Sequence, residues 1–402
     1  MPEILLPPAV SALLGRLRQN GFPSYAVGGC VRDSLLGRPV HDWDITTSAR
    51  PENVKTVFSD LRTLDTGIRH GTVTVLFENE PYEITTYRID GAYTDGRHPD
   101  AVAFTDLLAE DLKRRDFTVN AMAYSDPDGL VDLFGGREDL GRHLLRAVGD
   151  PAERFTEDAL RILRAVRFAA VLDFSVEEQT FAAASALKDR LSMVSPERIC
   201  QEMNKLLSAT SPAQILRKAA PILAAAWPLS ADVIRATADR VSSLPPRLPL
   251  RLAALFDGIA PGKLCSLLLS LRQSRHIASE AAAIASAVAE AENASEGRLR
   301  AQLGSNGLSV CLDACLLAKA KGILSPEEAE ARAALFETWT ARKICCRRED
   351  LALTGRDLMT LGVPAGNAVG KWLDLLLSEV LEGRLPNTRE ALTAYLCQGL
   401  RG

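Results

Sequence analysis

A short segment near the amino terminus, from Tyr25 to Thr47, constrains the fold more than any other part of the chain. Its pattern predicts a short strand, a Gly28-Gly29 turn, a helix that opens on that turn, and a second strand. This second strand carries Asp42 and Asp44. Side chains two residues apart on a strand point to the same face, so we expect the two carboxylates side by side.

The two halves of this segment have complementary chemistry. With Trp43 and Ile45 facing the opposite way, the carboxylate pair forms a site for Mg²⁺, which takes carboxylate ligands together with substrate phosphates. The glycine turn offers backbone N–H groups and a helix N-terminus to phosphate oxygens. Each feature alone is typical of an ordinary turn or a solvated strand end. Their occurrence together in one strand–helix–strand unit indicates nucleotidyl transfer.

Length and composition limit the class of protein. A chain of 402 residues is too long for one compact core, so two or more domains are expected. An apolar content of 47% and a charged content of 24% are ordinary for a soluble globular protein. The net charge of −4 argues against a general nucleic-acid binder, which is normally basic. An RNA partner would therefore need positive charge concentrated in a cleft.

The chain carries no sequence signal for export or for a membrane. Its amino terminus lacks the basic start and long apolar core of a signal peptide. No apolar run approaches the roughly 18 residues of a membrane span. The eight cysteines lack zinc or redox spacing and are interpreted as reduced structural thiols. We expect a cytoplasmic protein with no membrane partner.

The predicted secondary structure of the chain changes near residue 150. Before it, helical signals alternate with strand signals such as Val73–Phe77 and Tyr82–Arg88. After it, long amphipathic segments such as Glu157–Leu172 and Ala278–Glu292 predominate. A proline-rich break at Leu244–Pro249 separates two helical subdomains. The simplest architecture is an α/β head followed by an all-helical body.

Several motifs together resemble one family. The segment Tyr25–Thr47 resembles the signature of the class II tRNA nucleotidyltransferases and bacterial poly(A) polymerases, within the DNA polymerase β-like nucleotidyltransferase superfamily. Thr66–Val75 is similar to the strand motif of the tRNA enzymes, Arg88–Pro99 to the flexible loop and Asp111–Ala123 to the next motif. The resemblance is dense from Tyr25 to Lys205, thin in the following region and present again in the tail.

The resemblance implies an α+β fold, in which an N-terminal nucleotidyltransferase α/β head precedes an all-helical neck, body and tail. The neck would contain the helix that reads the base, and the tail would bind tRNA. The expected segments are a head (palm) over residues 1–150, a neck over 151–210, a body over 211–345 and a tail over 346–402.

A third carboxylate, Glu83, lies on the later predicted strand. The resemblance implies that Glu83 acts with Asp42 and Asp44 as a catalytic residue, and that the two aspartates hold the metal. In this two-metal arrangement with Mg²⁺, one ion activates the RNA 3′-hydroxyl and the other steadies the triphosphate leaving group. Without the resemblance, Glu83 also fits an exposed strand residue.

A second segment, Glu157–Arg167, is similar to the family's base-reading motif. With Thr156 and acidic residues as start signals, it predicts a helix on which Asp158, Arg161 and Arg164 lie on one face. Without the resemblance, these residues would also fit ordinary surface ion pairs. Arginine only donates hydrogen bonds and an ionised aspartate only accepts them. This pair matches the amino donor and ring-nitrogen acceptor that cytosine and adenine share.

Uracil and guanine place a carbonyl and a ring N–H at the same edge. Each unmatched buried polar group costs roughly 1–3 kcal/mol, so two mismatches discriminate strongly against UTP and GTP. Glu157 would orient Arg161, while Asp116 and Asn120 would hold backbone and turn. The resemblance implies these nucleotide-binding residues: Gly28, Gly29, Arg32, Arg115, Asp158, Arg161, Arg164 and Arg167.

The later segments add support but little chemistry. Ser195–Lys205 resembles the last neck motif, with Ser195 as an N-cap and Arg198 among several structural salt-bridge residues. The body has one histidine, His276, and no His-Asp pair, which argues against a phosphohydrolase appendage. Leu353–Gly370 predicts a helix, a turn and a helix. In its second half, Gly366 and Gly370 would allow close approach of either an RNA backbone or a neighbouring helix.

Taken together, the resemblance implies template-independent addition of CCA to the 3′ end of tRNA, from CTP and ATP. An A-adding or CC-adding specialist is the alternative within the family, and a full-length loop over 88–104 argues against the CC-adding form. Poly(A) polymerase fits less well because Thr66–Val75 follows the tRNA-enzyme pattern. An antibiotic nucleotidyltransferase would not need Asp158 and Arg161, and a non-catalytic RNA binder would not need the aspartate pair.

Overall fold

The computed structural model describes residues 3–65, 67–90 and 102–400. Most of the loop predicted after Arg88, and Thr66 of the preceding motif, therefore lie outside the described residues. Backbone contacts divide the chain into two compact units, Met1–Arg235 and Ala236–Gly402. Each unit is described by itself.

The first unit contains a seven-stranded sheet and two small strand pairs. Its strands are β1 Ser24–Val27, β2 Ile45–Thr47, β3 Arg62–Leu64, β4 Thr72–Phe77, β5 Glu80–Thr86, β6 Arg88–Asp90, β7 Val102–Phe104, β8 Met122–Ser125, β9 Gly129–Asp132, β10 Leu144–Leu145 and β11 Ser175–Val176. The large sheet has the order β3-β4-β5-β2-β1-β8-β9, and β2 pairs with β5 in parallel. The strand runs predicted at Val73–Phe77 and Tyr82–Arg88 are confirmed as β4 and as β5 with the start of β6.

The helices of the first unit lie between its strands in the sequence and continue after the last strand. They are α1 Pro8–Gln19, α2 Gly29–Leu35, α3 Pro51–Val57, α4 Leu108–Lys113, α5 Gly136–Gly141, α6 Pro151–Glu157, α7 Leu160–Leu172, α8 Glu178–Ala186, α9 Pro196–Leu207, α10 Ala213–Lys218, α11 Ala220–Ala226 and α12 Ala231–Ser243. The division between the two units falls within α12. Beyond residue 150, the two-residue β11 is the one strand among the described residues.

The core of the head lies between the sheet and the helices α1 and α3. Val10, Leu13 and Leu17 recur at helical spacing along α1 and are fully buried, as an amphipathic helix on a sheet requires. They pack with Ile45 of β2, and Trp43 packs against the same cluster. Because Trp43 and Ile45 face the core, Asp42 and Asp44 are left on the other side, as the sequence predicts.

The second unit is helical in its described residues. Its helices after α12 are α13 Leu248–Leu255, α14 Pro261–Ser270, α15 Arg275–Ala289, α16 Glu296–Ala320, α17 Pro326–Ala341, α18 Gly355–Thr360, α19 Asn367–Leu381 and α20 Arg389–Gly399. The helix–turn–helix predicted over Leu353–Gly370 is confirmed by α18 and α19. A cluster that includes Leu358, Leu376 and Leu392 holds the tail helices together. Among the described residues, no helix is long and apolar enough to cross a membrane.

Candidate active site

Asp42 and Asp44 stand on the segment that enters the middle of the sheet. β2 begins only at Ile45, so the prediction that both aspartates lie on this strand was wrong by one to three residues. The strand pairing nevertheless reaches Asp44, because its carbonyl oxygen accepts a hydrogen bond from the Val27 N–H at 3.0 Å. The backbone at Asp44 is therefore fixed by β1, while its side chain remains at the surface.

Four carboxylates, those of Asp42, Asp44, Glu80 and Glu83, line one open cavity of about 550 Å³. Asp42 and Asp44 form one side of it, and Glu83 reaches it from β5, which pairs in parallel with β2. Although the Asp44 side chain reaches solvent, desolvation by the surrounding protein raises its pKa above the ordinary value. Arg115 opposes this rise in pKa, and the charges of Glu83 and Asp42 add to it. The cavity therefore concentrates negative charge.

The donor set of this cavity fits a hard divalent cation. Carboxylate oxygens are the ligands such cations take, and the like-charge repulsion at Asp44 is what a bound cation would relieve. Across the described residues, no three His, Cys, Asp or Glu side chains converge closely enough to form a complete ligand set by themselves. An ion held by the aspartate pair would therefore share its remaining coordination with substrate and water.

The glycine turn after β1 brings an arginine against the backbone. Gly28 has a φ of 85° at the N-cap of α2, a conformation that glycine adopts readily. A Cβ on Gly28 would lie 2.8 Å from Nη1 of Arg115. The Gly28 N–H donates to the carbonyl of Met122 at 3.1 Å. Gly29 is therefore the first residue of this turn whose backbone N–H is left for a phosphate oxygen.

The segment from Asp111 to Asn120 connects the carboxylate cavity to helix α7. Asp111 is fully buried; burial would raise its pKa, but the charges of Arg114 and Arg115 outweigh this effect and hold the pKa below its usual value. Asp111 also accepts a hydrogen bond from Thr46 of β2. Nη2 of Arg115 lies 3.6 Å from Oδ2 of Asp111. The positive charge of Arg115 also interacts with the carboxylate of Asp44.

Asp116 and Asn120 hold backbone and turn, as predicted. The Asp116 carboxylate accepts from the N–H of Phe117 at 2.8 Å and from the Asn120 amide at 3.1 Å. The amide oxygen of Asn120 accepts from Arg32, which is 8% exposed. Arg32 also donates to both carboxylate oxygens of Asp33. Arg32 is thus a buried, paired cation close to the glycine turn.

The helix that we expect to read the base begins later than the sequence predicts. Helix α6 contains Thr156 and ends at Glu157, and α7 begins at Leu160. Asp158 lies in the break with extended backbone (φ −137°), and its Oδ1 accepts from the Leu160 N–H at 3.0 Å. Asp158 therefore precedes the helix that carries Arg161 and Arg164, so the prediction of one continuous helix face was wrong.

Arg161 is held from several sides. Its Nη1 donates to Oε2 of Glu157 at 2.6 Å and to the carbonyl of Arg154 at 3.3 Å. Its Nη2 donates to the carbonyl of Arg114 at 2.9 Å. The predicted orientation of Arg161 by Glu157 is confirmed. The bond to Arg114 additionally ties α7 to the segment beside the carboxylate cavity.

The two remaining arginines of α7 pair with buried carboxylates. Arg164 donates from Nε to Oδ2 of Asp116 at 2.7 Å. Arg167 donates from Nε to Oε2 of Glu202 on α9. Desolvation lowers the pKa of Arg167, Glu202 opposes this, and the neighbouring charge of Arg164 adds to the lowering. This part of the site is therefore rich in cationic groups.

Two residues at this site make contacts that the sequence did not predict. The salt bridge predicted for Arg198 is confirmed, but its partner, Asp158, was not predicted. Phe168, for which the sequence predicted no role, lies under three arginines of the site. No local signal identifies either one, because both roles depend on contacts between separate helices. Ser195 does occupy the N-cap position of α9, without a hydrogen bond from its side chain.

Comparisons with known proteins agree with this arrangement. A family model described as "Poly A polymerase head domain" matches residues 24–146, and one for tRNA nucleotidyltransferase domain 2 matches residues 251–396. A third, "Probable RNA and SrmB- binding site of polymerase A", matches residues 173–220.

Curated and solved relatives extend over nearly the whole chain. The chain is 38% identical to the CCA-adding enzyme of Limosilactobacillus fermentum and 37% identical to that of Levilactobacillus brevis. The alignments cover 94% and 95% of both proteins, respectively. The crystal structure of Bacillus stearothermophilus CCA-adding enzyme in complex with CTP matches with a TM-score of 0.83 at 33% identity, over 99% of this chain and 98% of that one. The chain therefore belongs to the CCA-adding enzymes, a family of tRNA nucleotidyltransferases.

Proposed function

We propose that this chain adds all three nucleotides of the CCA end to tRNA, from CTP and ATP, without a nucleic-acid template. The observation that carries the proposal is the fixed position of Arg161, which is bonded to Glu157 and to the carbonyl of Arg114. A donor held in this way, beside the acceptor Asp158, supports selection of a base by protein groups alone. The relatives named above are CCA-adding enzymes, and one was solved with CTP.

The catalytic residues of the proposal are Asp42, Asp44 and Glu83. Asp42 and Asp44 would hold Mg²⁺, which when bound polarises the triphosphate and favours ionisation of the RNA 3′-hydroxyl. The hydroxyl oxygen attacks the α-phosphorus, the bond to the leaving oxygen breaks, and pyrophosphate departs. The protein's own contribution is to position the reactants and to neutralise charge. Arg115 is placed to do both, because it lies over Gly28 and within the field of Asp44.

Base selection in the proposal rests on complementary hydrogen bonding. Asp158 would accept from the amino group of cytosine or adenine, and Arg161 would donate to the adjacent ring nitrogen. Uracil and guanine would face Asp158 with a carbonyl oxygen and Arg161 with a ring N–H, leaving two polar pairs mismatched. Gly29, Arg32, Arg164 and Arg167 would contact ribose or phosphate.

The segment boundaries also belong to the proposal. A head over 1–150, a neck over 151–210, a body over 211–345 and a tRNA-binding tail over 346–402 would place the chemistry in the first two segments. Gly366, with a φ of 102° at the N-cap of α19, is a candidate contact for the RNA backbone in the tail. A cytoplasmic location is supported by the eight cysteines, all of which are free thiols.

The test is a gel assay with a tRNA transcript that lacks its 3′ CCA, incubated with Mg²⁺, CTP and ATP. Extension by three nucleotides is expected. Extension by two would identify a CC-adding specialist. If nothing is added, a transcript already ending in CC is tested, and a single added A would identify an A-adding specialist. Failure on both transcripts would overturn the proposal.

A further inference from the structure

Phe168 of α7 is the meeting point of three arginines that come from two different helices. The Cζ atom of Arg167 lies 3.7 Å from the centre of the phenyl ring. The Cζ atoms of Arg32, from α2, and Arg164 lie at 5.1 and 5.2 Å. All three distances fall within the roughly 6 Å over which a cation is attracted to an aromatic ring. Phe168 is only 6% exposed, which strengthens this attraction.

The same three guanidiniums have separate carboxylate partners. Asp33 pairs with Arg32, Asp116 with Arg164 and Glu202 with Arg167. Each carboxylate fixes one edge of its guanidinium, and a guanidinium has five N–H donors. Arg164 uses Nε and Nη2 on Asp116, and Arg167 uses Nε on Glu202. Within the part of the chain that the structure describes, both therefore retain donors for a further anion.

The phenyl ring itself is held rigidly. Its centre lies 5.9 Å from that of Phe117, with the two rings at 78°, an edge-to-face arrangement. Phe117 is fully buried and directly follows Asp116, the partner of Arg164. Phe168 is thus fixed between the sheet-side segment and the arginines. An aliphatic side chain of similar volume would fill this space but would lack the negative ring face.

We infer that Phe168 is a positioning residue that gathers Arg32, Arg164 and Arg167 into one site for the triphosphate of the incoming nucleotide. This inference rests on the proposed function, because it assigns the substrate phosphates to this arginine cluster. Because each guanidinium is already paired with a carboxylate, the attraction for the nucleotide comes from the N–H donors that Arg164 and Arg167 leave unused, and a ligand with more phosphate oxygens can accept from more of them. Loss of the ring should therefore weaken binding in proportion to the number of phosphates on the ligand.

The experiment compares equilibrium binding of CTP, CMP and cytidine to the full chain and to Phe168→Leu. CTP is expected to bind about tenfold more weakly to the variant, CMP less affected and cytidine unchanged. Phe168→Met, also without a π face, is the second variant should the leucine form fail to fold. Thermal unfolding verifies the fold of each variant.

Phe174→Leu is the matched control. Phe174 is 7% exposed, close to the 6% of Phe168, and stacks on His143 instead of on the arginine cluster. The control should bind CTP like the wild type. Equal loss of CTP affinity in Phe174→Leu, or wild-type CTP affinity in a folded Phe168 variant, would overturn the inference while leaving the proposed function intact. Wild-type protein that binds CTP no better than cytidine would instead overturn the proposed function.

Discussion

Arg198 and Asp158 form a two-bonded ion pair at the entrance to α7. Nη1 and Nη2 of Arg198 donate to Oδ1 and Oδ2 of Asp158 at 3.3 and 2.7 Å. The Leu160 N–H donates to Oδ1 as well. Because a carboxylate offers about four acceptor positions, this arrangement leaves Asp158 free to accept one more hydrogen bond, and it fixes the direction of that bond.

Substitution of Arg198 should therefore change the choice of nucleotide. Arg198→Lys keeps the charge but loses the planar fork, so Asp158 can turn and the preference for CTP over UTP should fall about tenfold. The measurement is the ratio of kcat/KM for CTP and UTP on a tRNA transcript lacking CCA. Arg190→Lys is the control, since Arg190 bonds only to the carbonyl of Thr156 among the described residues. An unchanged ratio in Arg198→Lys would contradict the assigned role.

Removal of either cavity aspartate should abolish incorporation and leave the fold intact. Asp42→Ala and Asp44→Ala each remove an exposed carboxylate that makes no side-chain hydrogen bond within the described residues. Activity should fall about a thousandfold or more, because charge neutralisation at the triphosphate is lost. Incorporation of label from CTP and circular dichroism melting measure the two effects. Asp60→Ala, at an exposed carboxylate paired with Arg16, serves as the control. Near-wild-type activity in both cavity variants would refute the assignment.

The strand–turn–helix around the glycine turn could be predicted because its signals are local. A short apolar run that ends at a glycine pair gives β1, and the residues after this pair form α2. The break before α7 could not be predicted in the same way. The apolar spacing of Leu160, Leu163 and Val166 continues that of a helix, whereas the break is stabilised by Arg198, which lies 40 residues beyond Asp158 in the chain.

The contacts of Phe168 at the site could not be predicted from the sequence either. In the sequence it is one apolar residue on an amphipathic helix, and its burial is the ordinary outcome. Its relation to Arg32 exists only because α2 and α7 meet in the folded chain. Residue types and spacing therefore identify the charged groups of this site, while the residues that position those groups emerge from packing between helices.

Gly28→Ala should weaken nucleotide binding more than it affects folding. A Cβ at this position would lie 2.8 Å from Nη1 of Arg115 and displace the guanidinium. The KM for CTP should rise about tenfold, since small displacements of positioning groups are costly. Gly21→Ala is a close control: its φ is 86°, against 85° for Gly28, but no atom lies within 4 Å of the added Cβ. Both variants carry backbone strain, so an equal rise in KM would show that strain, and not Arg115, is responsible.

Asp116 should make the stability of the chain depend on pH in the acid range. Burial disfavours its charged form, but Arg164, Asn120 and Arg161 outweigh burial and lower the pKa of Asp116 to about 2. A folded-state pKa below the unfolded value of about 3.8 means that the stabilisation is complete above pH 4 and lost as pH falls toward 2. The shift corresponds to about 2 kcal/mol, of which about 1 kcal/mol should be lost between pH 5 and pH 3.

Urea unfolding of the wild type and Asp116→Asn at pH 5 and pH 3 measures this contribution. The variant leaves Arg164 without its carboxylate partner, so it should be less stable than the wild type at pH 5. Because the amide side chain of the variant cannot titrate, the difference in unfolding free energy should narrow by about 1 kcal/mol at pH 3. Asp189→Asn, at an exposed carboxylate of the same unit, controls for the loss of one charge. A difference that stays constant between the two pH values would mean that Asp116 is not held ionised by Arg164.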